Sequence, residues 1–201
     1  MPGALLVVAH PRGDSLTAAV ARRARSRLQA AGLTVDTLDL YAAAFDPRMT
    51  PADEPDWGDP GKTYSAEVRE HMRRIDAAEV IAVVFPVWWY GLPAILKGWI
   101  DRVWNYGFAY GQGKARLGGK RLLWLGLAGE SRESYTEHGL DEMLERQLRI
   151  GISAFCGIED VGVRFLYGCL PQDAGAAARP LGEADDVLTG FLPEAGAGRA
   201  Q

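Results

Sequence analysis

Five short apolar runs punctuate this chain, and a polar turn and a helix-like stretch separate each from the next. The runs are "ALLVVAH" (Ala4 to His10), "TVDTLDL" (Thr34 to Leu40), "VIAVVFP" (Val80 to Pro86), "RLLWLGLAG" (Arg121 to Gly129) and "VGVRFLYG" (Val161 to Gly168). Continuous apolar runs of this length read as strands buried on both faces, the pattern of a parallel sheet. The second run alternates and reads as a strand with one wetter face.

Helical spacing fills the gaps. Ser15 to Ala31 reads as an amphipathic helix ended by Gly32. Residues 64–78, Leu92 to Trp104 and residues 138–155 read as helices, with Pro93 tolerated in a first turn. A short helix is expected over Glu183 to Leu192, then a flexible tail over residues 193–201. Tyr41 to Lys62 holds four prolines and no period, so it reads as a long connection, of the kind that is often functional.

Strands alternating with helices call for right-handed crossovers and a sheet covered on both sides. The expected architecture is an α/β three-layer sandwich, with one five-stranded parallel sheet of flavodoxin-like order 2-1-3-4-5. The 201 residues suit one domain with a sizeable core. Such sheets place ligands at the carboxyl ends of their strands, near the switch point between strands 1 and 3.

Composition excludes several classes. The net charge is −4 and the basic residues are scattered, which argues against a nucleic-acid surface. Cys156 and Cys169 have neither CxxC nor zinc spacing and read as small buried hydrophobes in a reducing compartment. The start "MPGALLVVAHPRGD" lacks the features of a signal peptide, and no apolar run reaches the ~18 residues of a membrane span. The cytoplasm is the expected location.

The loops after strands 1, 3 and 4 are chemically unlike ordinary connectors. In "HPRGDSLT", Asp14, Ser15 and Thr17 open a helix, where hydroxyls and free N–H groups suit a phosphate and His10 could donate to the same anion. The same residues also read as a plain helix cap. In "PVWWYG", Pro86, Val87, Trp88, Trp89 and Tyr90 can wall a slot for a planar heterocycle, or pack in the core or at a subunit contact. The stretch Gly126, Leu127, Ala128, Gly129 is small enough for close backbone approach, and Tyr135 and His138 follow as donors to a charged ring edge. Taken singly, His138 reads first as a helix-start residue with no chemical role.

Other signatures fail. No GxGxxG follows the first strand, and GxSxG is absent. "GKARLGGK" (Gly113 to Lys120) lacks the Walker lysine and hydroxyl positions and reads as a Gly-rich turn. A phosphate cradle, a flat-ring slot and a neutralising edge, in that order, describe a flavin nucleotide.

"FPVWWYGLPAILKGWIDRVWNYGFAYG" (Phe85 to Gly111) resembles a long block of the NAD(P)H:quinone oxidoreductases with a flavodoxin-like fold, a family that includes ancillary subunits of bacterial potassium-efflux systems. "AHPRGDSLTAAV" and "GISAFCGIEDV" agree in place and type, so the resemblance covers nearly the whole chain. It implies a tightly held flavin, FAD with FMN as the alternative, and a homodimer with active sites at the interface. It places His10, Ser15, Leu16 and Thr17 on the flavin phosphates. Pro86, Val87, Trp88, Trp89 and Tyr90 border the isoalloxazine, and Gly126, Leu127, Ala128 and Gly129 lie along its polar edge. It makes Tyr135 and His138 the catalytic helpers, and Trp89, Tyr90 and Tyr110 the walls of the substrate slot, with Tyr110 closing the slot of the neighbouring subunit.

Two features depart from the mammalian members. "GLAGES" replaces a hydroxyl-rich "TTGG", and the Tyr-to-His spacing is shorter.

The implied chemistry is a ping-pong exchange through one slot, with NADH or NADPH passing a hydride to flavin N5 and a quinone then taking it. An azo or nitroaromatic acceptor, a transporter's regulatory subunit and a flavodoxin-type electron carrier are the rivals. The last should be more acidic and needs no nicotinamide slot.

Overall fold

The computed structural model describes residues 3–59, 61–111, 116–170 and 178–192. The expected tail over residues 193–201 and residues 113–115 of the Gly-rich turn lie outside these residues; residues 116–119 form turns.

Strands β1 (Gly3–Val8), β2 (Thr34–Asp39), β3 (Val80–Pro86), β4 (Arg121–Leu127) and β5 (Asp160–Leu166) pair in the order β2-β1-β3-β4-β5. Every pairing is parallel, with Val7 opposite Leu38 and Val83, and Val83 opposite Trp124. Because successive side chains alternate in direction, each central strand feeds two cores. Leu5, Val7, Ile81, Val83, Phe85, Leu122 and Trp124 face one side. Ala4, Leu6, Val8, Val80, Ala82, Val84, Leu123 and Leu125 face the other.

Helix α1 (Leu16–Ala30) and the last helix, Ala178–Phe191, cover the second side, supplying Val20, Ala24, Leu28, Ala184 and Leu188. Helices α2 (Ala66–Asp76) and α3 (Ala94–Val103) cover the first with Val68, Ile75, Leu96 and Trp99. Pro93 stands just outside α3 as its cap residue, and its carbonyl accepts from Leu96 and Lys97 N–H.

The single helix expected over residues 138–155 is not what forms. The chain makes α4 (Arg132–Glu137), α5 (Leu140–Arg146), π-type turns over Gln147–Ser153 and a short 3-10 turn, Ala154–Cys156. Gly139, at φ 65°, separates α4 from α5. The widened turns let Ser153 Oγ donate to Leu148 O and accept from the buried Trp124 Nε1, at 2.6 and 2.9 Å. The last helix, α6, runs over Ala178–Phe191 and so takes in the five residues before the expected Glu183.

The long connection is pinned to α3. Asp53 is fully buried and its Oδ2 lies 2.7 Å from Arg102 Nη2. Ser65 N and Oγ donate to the same carboxylate, and Asn105 Nδ2 donates to the Asp53 carbonyl. Arg102 also reaches the Asp46 carbonyl and Glu67. Gly98 is required here, since a Cβ would overlap Pro47 of the connection. Arg102 and Gly98 therefore fix where the connection crosses the molecule.

Candidate functional site

The carboxyl ends of β1, β3 and β4 carry the three singled-out loops, as the strand order demands. Ser15, in extended conformation, caps α1, with its Oγ accepting from Ala18 N at 3.1 Å. Asp14 is not the cap; it is exposed beside Arg12. Capping leaves the N–H groups of Leu16 and Thr17 without helical acceptors, a ready anion site. Ser15 and Thr17 are buried, and Leu16 is half-buried.

His10 lies two residues past β1. Its Nδ1 accepts from Arg12 N at 3.1 Å, so a neutral ring carries its proton on Nε2 as a donor. Burial, the largest cause, lowers its pKa.

Pro86 and Val87 are buried, and Val87 N donates to Leu127 O at 2.8 Å. The chain then reverses in a tight turn: Trp88 N donates to Gly91 O, and Gly91 N to Trp88 O. The two residues between, Trp89 and Tyr90, sit at φ 51° and 52°, the left-handed region. A two-residue turn with both centres left-handed normally employs Asn or Gly, so bulky residues there carry strain. The outcome is exposure: Trp89 is 97% exposed, and Trp88 and Tyr90 are about two-fifths exposed. None of the three is core filling.

This turn touches both neighbouring loops. Trp88 and His10 have ring centroids 6.0 Å apart, and Tyr90 meets Tyr135 edge to face at 5.5 Å. Tyr135 in turn meets Tyr167 at 5.3 Å, and the Arg132 guanidinium lies over the Tyr167 ring. Tyr135 is buried, and that burial, followed by Tyr90 and Tyr167, pushes its pKa up to about 12.

Two expectations shift. Gly126 and Leu127 belong to β4, and Ala128 extends the pairing by donating to Leu166 O at 2.8 Å. All three are buried, and a Cβ on Gly126 would come within 2.8 Å of the Phe165 ring. The smallness of Gly126 thus answers sheet packing. Gly129 alone is part-exposed, against Leu170. His138 is exposed at the end of α4, with Nδ1 3.0 Å from Ser134 O, and no ring of the Tyr90–Tyr135–Tyr167 set contacts it.

Tyr110 lies in a second aromatic group. It meets Tyr106 at 5.9 Å, Trp57 at 6.1 Å and Phe155 at 5.2 Å. Tyr110, Trp57 and Phe155, with Ile100, Trp104, Ile152 and Cys156, line a cavity of roughly 270 Å³. Trp104 Nε1 is buried there without an acceptor. Sequence reasoning missed Trp57, Phe155 and Tyr167; the signal for Trp57 was a lone aromatic in the acidic stretch "DEPDWGDP". Cys156 and Cys169 are free thiols, and burial pushes both up to about 11. No group of metal-ligating side chains occurs among the described residues, and no helix among them is long and apolar enough to cross a membrane.

Strand order, loop chemistry and family match agree. Residues 3–187 match the family described as "Flavodoxin-like fold", and the chain belongs to it. Within that class it belongs with the NAD(P)H oxidoreductases and quinone dehydrogenases. It is 44% identical over 84% of its length to 85% of an uncharacterized NAD(P)H oxidoreductase, YcaK, of Escherichia coli strain K12. It is 30% identical over 82% of its length to 80% of the mouse ribosyldihydronicotinamide dehydrogenase [quinone]. A solved NAD(P)H:quinone oxidoreductase from Methanothermobacter marburgensis superimposes with TM-score 0.85 at 28% identity, covering 93% of this chain and 95% of that one.

Proposed function

We propose that this chain is a flavin-dependent NAD(P)H:quinone oxidoreductase of the cytoplasm, acting as a homodimer. One observation carries the reading: a strained turn holds Trp89 in the open, while Trp88 meets His10 of the loop after β1 and Tyr90 meets Tyr135 of α4.

The residues fit a flavin nucleotide. Leu16 and Thr17 N–H, the Ser15 hydroxyl and His10 Nε2 would hold its phosphate. Pro86 to Tyr90 would border its ring, and Gly129, the part-exposed residue past the end of β4, would lie at its polar edge. FAD is the favoured form, with FMN the alternative. A bound flavin supplies the redox chemistry, accepting a hydride from NADH or NADPH and delivering it to a quinone in turn.

The chain's own part is orientation, exclusion of water and electrostatics. Trp89 and Tyr90 stack reactants in register. Tyr135, held neutral by its raised pKa, keeps its hydroxyl proton as a donor to negative charge. His138 is the second candidate for that task. Tyr110 closes the slot of the neighbouring subunit. The exposed apolar side chains of Trp89, Phe155, Ile150 and Met143 support a second copy, since such surface is costly to leave wet.

Flavin-loaded protein should oxidise NADH or NADPH when menadione is present. Failure with both coenzymes overturns the reading. A panel of quinone, azo and nitroaromatic acceptors ranked by kcat/KM identifies the preferred class.

A further inference from the structure

The connection between Leu40 and Ser65 presents one large aromatic, Trp57, and leaves it 64% exposed. Its position is not left to the loop. The buried Asp53–Arg102 pair pins the chain four residues earlier, and Lys62 Nζ binds the Pro51 and Glu54 carbonyls across the loop. Trp57 then meets Tyr106 edge to face at 5.2 Å and Tyr110 at 6.1 Å. Phe155, 65% exposed, stands on the other side of Tyr110. Trp57, Tyr110 and Phe155, with Trp104, thus line a cavity of roughly 270 Å³. That is below the ~300 Å³ at which self-contained small-molecule sites begin. It is half a slot, and the exposed Trp89 turn is a flat surface of the kind that would complete it from a second copy.

We infer that Trp57 is a specificity-determining wall of the acceptor slot, selecting neutral, flat aromatic acceptors. The inference rests on the preceding reading, in which Tyr110 closes the neighbouring subunit's slot. The charge selection comes from the segment that carries Trp57. Glu54, Asp56 and Asp59 flank Trp57, and Asp56 and Asp59 are tied to Gly58 and Gly61 N–H, so they stay in place. Lys62 is the one cation in that stretch, and Asp101 at the cavity is paired with Lys97. Carboxylates held within a few residues of the wall repel anionic acceptors and leave neutral ones untouched.

The test compares flavin-loaded unsubstituted protein with Trp57→Ala and Trp57→Phe. Menadione is the flat neutral acceptor; ferricyanide has no ring to stack. Trp57→Ala should lower kcat/KM for menadione about two- to tenfold more than for ferricyanide, mainly through KM, and Trp57→Phe should recover most of the loss. Menadione quenching of tryptophan fluorescence in the oxidised, flavin-loaded protein should show the same loss of affinity. A naphthoquinone sulfonate should be a poorer acceptor than menadione, with the gap narrowing at high salt. Equal losses for the two acceptors, or unchanged menadione affinity, overturn the wall. A preferred sulfonate overturns the charge selection. If unsubstituted protein reduces ferricyanide but no quinone, the functional reading itself falls with it.

Discussion

The ring of Tyr90 meets the ring of Tyr135 edge to face, with centroids 5.5 Å apart, and so joins the loop after β3 to helix α4. Tyr135→Phe keeps that ring packing and removes only the hydroxyl. Flavin affinity and thermal stability should stay close to those of the unsubstituted protein. Turnover with menadione should fall about 10- to 100-fold, the worth of one hydrogen bond to a charged group. His138→Gln should cost much less, because His138 already faces Ser134 O. Steady-state kinetics on both variants decide between the two helpers; the reverse ranking would make His138 the donor.

Trp89 sits at φ 51° with its side chain almost wholly in solvent. Trp89→Gly relieves left-handed strain and gives up little packing within the chain. The flavin-free protein should gain about 0.5–1 kcal/mol of stability, read by urea unfolding. Flavin affinity and turnover should fall in the same variant. Opposite signs for stability and activity are the mark of a residue kept for its ligand.

Asp53 Oδ2 and Arg102 Nη2 are 2.7 Å apart and buried. Burial alone would raise the Asp53 pKa, but hydrogen bonds from Ser65 and Arg102 outweigh it and lower it. Asp53→Asn leaves a buried guanidinium with only Glu67 as its carboxylate partner. The cost should be about 3 kcal/mol, a Tm drop of about 6–12 °C by calorimetry. The connection that carries Trp57 should become more open to proteolysis.

His71 is buried between α2 and α3, and its Nδ1 accepts from Trp99 Nε1 at 3.1 Å. Burial, and then Arg74, hold its pKa below the ordinary 6.5. The unfolded chain recovers the ordinary value and binds the proton more readily. The stability due to neutral His71 is therefore complete above pH 6.5 and is lost as pH falls through the lower folded value. Urea midpoints should drop between pH 7.5 and 5.5. His71→Gln retains an acceptor for Trp99 and should flatten the drop, leaving the part due to His10, which is lowered in the same sense.

The strands were legible because burial on both faces writes itself as continuous apolar runs; Val80–Pro86 has the same bounds in sequence and structure. The strand order followed from alternation with helices. What stayed hidden depends on partners distant in sequence. Asp53 gives no local sign that Arg102 awaits it, and Ser153 none that Trp124 needs an acceptor. Helix α4 was missed because its six residues, Arg132–Glu137, are too few to show a period and read as part of the loop after β4. The left-handed turn carries no Gly or Asn at its centre, so sequence showed the aromatics of the slot without their exposure. Gly126 was read as making room for a ligand, whereas the Phe165 ring fills that space.

The central claim is that three loops at one sheet edge hold a flavin. The direct test is to strip the purified protein of pigment, identify what is released by chromatography, and titrate the stripped protein with FAD and FMN while following flavin fluorescence. The account predicts saturable uptake at one flavin per chain, with FAD bound more tightly than FMN, and loss of uptake when Trp89 and Tyr90 are both replaced by glycine. Uptake of neither flavin by the folded protein would contradict it.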